Sequence, residues 1–214
     1  MPMKVIALVS SKGGAGKTTL AACLAAELSN RGIDVALLDV DPQQTLSDWH
    51  RAEGPLQKLE LGSANGAAVD PTLQALMKRH QVVIVDSPGF HNRDTLAVLR
   101  WADIALVPFG PSPADALGAV KTLRVLTEVN STQERRKRPV RVLTALNRAD
   151  KTAMTAHIRE QVVSTGATVL NTSIGRRVAY AEAMLAGSAP CWMGSSAKAA
   201  AEEISSLADE IGRK

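Results

Sequence analysis

Ser10-Ser11-Lys12-Gly13-Gly14-Ala15-Gly16-Lys17-Thr18-Thr19 is the stretch that decides the fold. It lies between an aliphatic run, Val5-Ile6-Ala7-Leu8-Val9, and an alanine- and leucine-rich stretch, Thr18–Asn30, that reads as a helix and stops at Arg31-Gly32. Glycines let the backbone curl so that successive N–H groups point inward, and the start of a helix adds partial positive charge. Together these make a cradle for phosphate oxygens. Lys17 is placed to reach the β- and γ-phosphates, and the Thr18 hydroxyl suits Mg²⁺. A plain strand-to-helix turn would need the glycines but not the Gly16-Lys17-Thr18 ending, so the segment reads as a P-loop.

The rest of the chain repeats the same alternation. Short aliphatic runs at Lys4–Val9, Val35–Asp39, Val82–Asp86, Ile104–Phe109, Val140–Leu146 and Thr168–Leu170 read as strands buried on both faces. Helical stretches are expected at Ala114–Val129, Thr152–Thr165, Val178–Ala186 and Ser195–Ile211. Glu53–Pro71, rich in Gly and Pro, reads as a loop with room for one short strand. Strand followed by helix in succession implies an α/β fold, a doubly wound, mostly parallel sheet flanked by helices, with residues 1–214 in a single domain.

Composition narrows the class. Of 214 residues, 25 are Lys or Arg and 21 are Asp or Glu, a net charge of +4 that permits contact with nucleic acid or an anionic membrane without requiring either. A 45% hydrophobic content rules against disorder, and no apolar run approaches the ~20 residues of a membrane span. Two cysteines, Cys23 and Cys191, make neither a disulfide framework nor a metal cluster. With no export signal at the start, a reducing cytosol is expected.

Two more motifs end strands in acids. Leu37-Leu38-Asp39-Val40-Asp41-Pro42-Gln43 and Val82-Val83-Ile84-Val85-Asp86-Ser87-Pro88-Gly89 each place a carboxylate at the carboxyl edge of the sheet, where the P-loop also opens. Mg²⁺ takes oxygen ligands and keeps several waters, so Asp86 is the natural metal-side acid. Alternation along an extended chain puts Asp39 and Asp41 on one side. Either acid alone could be a turn former; the P-loop beside them favours chemistry.

The string Lys12-Gly13-Gly14-Ala15-Gly16-Lys17-Thr18-Thr19 resembles the deviant Walker A P-loop of the ParA/MinD ATPases, in which Ser11 stands where the standard loop has glycine and an extra lysine follows. The resemblance covers nearly the whole chain and is closest to short plasmid-partition ParA proteins, because an N-terminal helix-turn-helix is lacking. It implies that residues 12–19 and Lys12 of a second subunit hold ATP. It also implies that Thr18, Asp39 and Asp86 surround Mg²⁺ and that Asp41 orients the attacking water. Pro111-Ser112-Pro113-Ala114-Asp115 is similar to the family's segment lining the nucleotide and dimer interface, which brings in Pro111. Asn147-Arg148 resembles its adenine-contacting strand end. Ile174-Gly175-Arg176-Arg177-Val178 with Ala181-Glu182-Ala183 resembles its C-terminal segment, with Gly175 in place of proline.

By the same resemblance the chain is expected to form a homodimer on ATP binding and to bind double-stranded DNA non-specifically. A ParB-like centromere-binding protein would stimulate its slow hydrolysis, so that plasmid DNA is segregated on the nucleoid. The expected DNA contacts are Arg176, Arg177 and Lys198, then Arg135 and Arg136 of the run Glu134–Arg141, a run that could equally be a solvated loop. An aromatic content of 3% favours phosphate contacts over base stacking. Two alternatives share the fold. A MinD-like membrane-cycling ATPase would need a basic amphipathic C-terminus, whereas Ala200–Ile211 is acidic, so no membrane partner is expected. A metabolic ATP-dependent ligase would need further catalytic residues, and Cys191 has no evident partner. An electron carrier of the nitrogenase-reductase kind would need cluster-binding cysteines, which Cys23 inside a helix does not supply.

Overall fold

A computed structural model of the chain describes residues 5–89 and 92–213. In chain order its elements are β1 (Val5–Leu8), α1 (Lys17–Asn30), β2 (Val35–Asp39), α2 (Thr45–Arg51), β3 (Glu60–Ser63), α3 (Val69–Arg79) and β4 (Val82–Asp86). They continue with α4 (Arg93–Leu99), β5 (Ile104–Phe109), α5 (Pro113–Ser131), β6 (Arg141–Leu146), α6 (Ala153–Val163), α7 (Val178–Leu185) and α8 (Lys198–Gly212). The strands form one sheet in the order β3-β2-β4-β1-β5-β6, every pair parallel.

Period-two alternation splits the aliphatic runs between two layers. Ile6 and Leu8 pack with Leu20 and Leu24 of α1 and Leu207 and Ile211 of α8. Val5, Ala7 and Val9 pack on the other face with Leu73, Val98, Leu126 and Ile158 of α3 to α6. Burying one such side chain contributes about 1.5–3 kcal/mol. The loop after β1 is therefore anchored in core at both ends, by Leu8 and Val9 before it and Leu20 after it.

β2, β4 and β5 coincide with the aliphatic runs, because these central strands are buried throughout. Lys4, the expected start of β1, lies outside the described residues. Thr168–Leu170 is not a strand. Its backbone makes a single bridge, Thr144 to Val169, beside β6, and the chain then turns away. The expected loop at 53–71 holds β3 at the sheet edge and already enters α3 at Val69. α8 starts at Lys198, later than the expected Ser195, after a short 3₁₀ turn at Gly194–Ala197. α6 is capped by Thr152, whose side chain accepts the Thr155 amide.

Register brings the acids to the loop. Asp39 pairs with Asp86 across β2 and β4, and Leu8 pairs with Asp86 across β1 and β4. Both carboxylates thus stand at the carboxyl edge of the strands next to the turn that follows β1, the usual ligand position in open α/β sheets.

Candidate nucleotide-binding site

At that edge opens a cavity of about 640 Å³. Gly13, Gly14, Gly16, Lys17, Thr18 and Thr19 line one end with Asp41, Gln43, Thr45 and Gly89. Asn147, Arg148, Gly175, Arg176, Arg177, Tyr180, Ala181 and Met184 line the other. The volume lies within the range of small-ligand sites.

The loop is shaped by close approach. Gly16 has φ +95°, and a Cβ there would come within 2.0 Å of Asn147 Nδ2. The Asn147 amide donates to the Ala15 carbonyl at 2.8 Å, and its oxygen accepts the Arg148 amide at 2.9 Å. Asn147 therefore braces the loop and also lines the cavity, the position from which the resemblance expects it to meet the base. Around Gly13 and Gly14 an added Cβ would meet nothing within 4 Å, so the turn offers its backbone to open space, as a phosphate cradle requires. Ala15 is buried beneath the turn, and Lys17 is buried at the cavity wall.

Whether these residues suit Mg²⁺ is tested by Asp86. The Thr18 hydroxyl donates to its Oδ2 at 2.6 Å, while Oδ1 is buried with no hydrogen-bond partner. Burial pushes this carboxyl up to about 7, against the opposing pull of the Thr18 hydrogen bond and the Lys17 charge. A buried acceptor left without a donor is costly. One carboxylate oxygen next to a threonine hydroxyl at a phosphate loop is a donor set that a hard divalent ion completes. Asp39 is different. Its Oδ1 accepts the Asp41 amide at 3.1 Å, and its Oδ2 accepts the Ser47 amide and hydroxyl at 2.8 and 2.7 Å. Asp39 thus braces the loop that enters α2 beside Asp86 on the neighbouring strand, the place from which the resemblance expects it to stand near the Mg²⁺ shell. Asp41 stands above it, partly exposed on the cavity wall, and its carboxylate accepts the Gln43 amide.

Lys12 is absent from the cavity lining. Its Nζ donates to Asp115 Oδ1 at 2.5 Å. Asp115 also accepts the Ser112 hydroxyl at 2.5 Å, and Arg148 Nη2 lies 3.8 Å off. Burial alone would raise the Asp115 carboxyl; the Lys12 and Ser112 hydrogen bonds overcome it and hold it below the ordinary carboxylate range. The contact depends on Gly118 of α5, where a Cβ would sit 3.1 Å from that of Lys12. There Ser11 donates its hydroxyl to the Gly118 carbonyl and its amide to Thr122 Oγ1. Pro111 is absent from the cavity lining; the turn after β5 instead delivers Asp115. Arg148 adopts φ +54°, unusual for a residue with a side chain, at the cavity wall.

The basic residues separate into two regions. Arg135 is 4% exposed and donates to the Arg100 and Ala102 carbonyls, so its place among DNA contacts is corrected to a structural one. Arg136 is exposed beside it, its Nε on the Ser131 carbonyl, near the starting edge of the strands and far from the cavity. Arg176, Arg177 and Lys198 lie at the opposite edge, where α7 and α8 begin, and both arginines line a shallow depression with Glu182 and Ser196. Arg177 is tied to Glu203 at 2.6 Å. The side chains of Arg176 and Lys198 are 68% and 76% exposed.

Thr45, Tyr180, Met184 and Asp115 were not singled out by sequence reasoning as site residues. Thr45 opens a seven-residue helix with no side-chain cap, which leaves little periodic signal. Tyr180 and Met184 carried a signal, the four-residue spacing of one helix face.

Comparison with known proteins agrees with this geometry. Residues 6–191 match the model of the CobQ/CobB/MinD/ParA nucleotide binding domain. Protein ParA of Rhizobium radiobacter is 30% identical over 179 residues, covering 83% of this chain and 81% of that protein. Maintenance of carboxysome distribution protein A of Halothiobacillus neapolitanus is 30% identical over 211 residues, covering 96% and 95%. The solved ATP complex of a variant McdA from Cyanothece superposes with a TM-score of 0.80 at 18% identity, covering 100% of this chain and 98% of that one.

Proposed function

The chain belongs to the CobQ/CobB/MinD/ParA nucleotide-binding family, and from that premise we propose that it is an ATP-driven DNA partition ATPase acting as a single cytoplasmic domain. It binds ATP with Mg²⁺, closes with a second copy into a nucleotide sandwich and associates with nucleoid DNA without sequence preference. It hydrolyses ATP slowly until a ParB-like centromere-binding partner speeds the step. The observation that carries this function is the meeting of Lys17, Thr18, Asp41 and the half-satisfied Asp86 at one sheet edge.

Phosphoryl transfer asks for positioning and charge stabilisation more than covalent chemistry. The amides of residues 13–19 and the Lys17 ammonium hold the β- and γ-phosphates. Thr18 and Asp86, with Asp39 close by, would hold Mg²⁺, which would supply neutralising charge to those phosphates. Asp41 orients the water. Lys12 belongs to the facing subunit's nucleotide, which accords with its absence from the lining of its own cavity. Arg176 and Lys198 are the favoured DNA contacts, being exposed and only loosely paired, with Asp150 at 3.7 Å and Glu202 at 3.8 Å, whereas Arg177 is held by Glu203 at 2.6 Å.

Sedimentation with ATP, with ADP and without nucleotide, each with and without duplex DNA, tests the whole scheme. Dimers and DNA co-sedimentation should appear with ATP only, and DNA binding should fall steeply with salt. Arg176→Ala with Lys198→Ala should weaken DNA retention and spare ATP binding. Nucleotide-independent behaviour would refute the proposal.

A second reading, positioning of a protein cargo on the nucleoid, is favoured by the near-complete overlap with the carboxysome distribution relative. Deleting the gene distinguishes them, by plasmid loss in one case and misplaced protein bodies in the other. A membrane-cycling role is disfavoured. The apolar residues of α8, Ile204, Leu207 and Ile211, are packed in the core, and Glu202 and Asp209 face out. Liposome co-sedimentation in ATP tests it.

A further inference from the structure

α8 carries two carboxylates seven residues apart, Glu203 and Glu210, and both reach the segment between β6 and α7. Glu210 accepts the Asn171 amide at 2.8 Å and the Thr172 amide at 2.6 Å. Glu203 gathers four donors: the Gly175 amide at 3.1 Å and the Tyr180 hydroxyl at 3.0 Å on Oε2, and Arg177 Nε and Nη2 at 2.9 and 2.6 Å on Oε1. Gly175, Arg177 and Tyr180 all line the cavity, whereas Glu203 does not. A triphosphate seated on residues 13–19 leaves its nucleoside against this far wall.

We infer that Glu203 is a positioning residue for the nucleoside end of the cavity, setting the wall formed by Gly175, Arg177 and Tyr180 from the helix behind it. The inference rests on the nucleotide reading of the cavity. Two features support it. The first is that the Gly175 N–H is a donor that proline, the residue expected at this place in the motif, does not possess. The second is that the hydrogen bonds to Glu203 are charge-assisted and fork-like on the Arg177 side, a geometry that orients a side chain as well as binding it. α8 is itself fixed to the phosphate-side helix, because Arg31 at the end of α1 donates to Asp209 and to the Ser205 carbonyl. Glu203 therefore holds one wall relative to a helix whose other end carries Lys17 and Thr18.

The test compares ATP with inorganic tripolyphosphate, a ligand without a nucleoside, by titration calorimetry with Mg²⁺ present. Glu203→Ala should weaken ATP by about tenfold, the size of one charge-assisted hydrogen bond, and leave tripolyphosphate within about twofold. Glu203→Gln, which keeps the acceptor without the charge and preserves shape, should fall between. Gly175→Pro should weaken ATP in the wild type but have little further effect in Glu203→Ala. Equal losses for ATP and tripolyphosphate, or unchanged ATP affinity in Glu203→Gln and Glu203→Ala, would overturn the role of Glu203. Failure of the wild type to bind either ligand would instead overturn the nucleotide reading itself.

Discussion

Replacing Asp115 with Asn should make the ATP-bound dimer tighter. The Lys12 ammonium is held within its own subunit by a 2.5 Å bond to Asp115. A lysine that must reach across to a partner's nucleotide has to leave that contact first. The side chain of Lys12 is 38% exposed and that of Asp115 only 6%, so the pair is partly screened by water. A value of about 1 kcal/mol, the upper end for exposed pairs, is therefore appropriate. A symmetric dimer breaks two such pairs, about 2 kcal/mol in all, which corresponds to roughly a 30-fold change in dimer dissociation constant. Asn keeps the shape and can still accept the Ser112 hydroxyl, so α5 should retain its start. Sedimentation velocity over a concentration series with a non-hydrolysable ATP analogue gives the constant directly. The gain should shrink at high salt, where the wild-type pair is already weakened. A dimer constant that is unchanged, or weaker, in Asp115→Asn would refute the reasoning, because Asp115 would then be neutral or would support Lys12 in the dimer.

Lys17→Ala should abolish nucleotide binding, and normal ATP affinity by equilibrium dialysis would contradict the phosphate cradle. Asp41→Ala should bind ATP normally yet lose at least about 100-fold in turnover, the usual scale for a positioned acid or base; undiminished phosphate release would remove Asp41 from the chemistry. The Asp86 carboxyl, raised by burial to about 7, carries a proton at pH 6 that a cation must displace. Affinity for Mg²⁺–ATP should therefore rise about tenfold from pH 6 to pH 8 beyond any rise seen in Asp86→Asn, and parallel profiles for the two proteins would count against it. His80 bonds Asp34 at 2.8 Å and Glu60 at 2.7 Å. Burial lowers its basicity, but these two carboxylates outweigh that and raise it. Its stabilisation is then complete below the ordinary histidine value and is lost as pH climbs through the raised one. Thermal melts should show wild type losing its advantage over His80→Gln between pH 6 and pH 9, and a constant gap would argue that His80 acts by packing alone.

The sheet was legible because its central strands are aliphatic on both faces and end in chemistry-bearing residues. β2, β4 and β5 could be read to the residue, and Asp86 could be placed beside the P-loop from its strand-end position alone. Short edge elements were not legible. β3 and α2 bury too few side chains to impose a period, and Thr168–Leu170 has strand composition but meets β6 at one bridge, too short a pairing to make a strand. Within the site, residue type foretold proximity but not employment. Asn147 and Asp39 both stand at the carboxyl edge of the sheet, where Asn147 also bonds the Ala15 carbonyl and Asp39 accepts the Asp41 and Ser47 amides, contacts that residue type does not foretell. Arg135, read as part of a charged run, is buried on two carbonyls. Such partners are distant in sequence, and only the folded backbone brings them together. Asp115 and Glu203 stayed hidden for the same reason, 103 residues from Lys12 and 28 from Gly175.

The sheet order also imposes a timetable on synthesis. β1 pairs only with β4 and β5, Val5 beside Val83 and Ile6 beside Ile104. The first strand made thus waits for both of its neighbours, which are made fourth and fifth. At about 5–20 residues per second, the ribosome delivers β5 roughly 5–20 s after β1. Until β4 is made this aliphatic segment has no neighbouring strand, and until β5 follows it has a neighbour on one edge alone. Nascent-chain chaperones therefore have a natural client in the first strand, and the sheet around the turn closes only after half the polypeptide has been made.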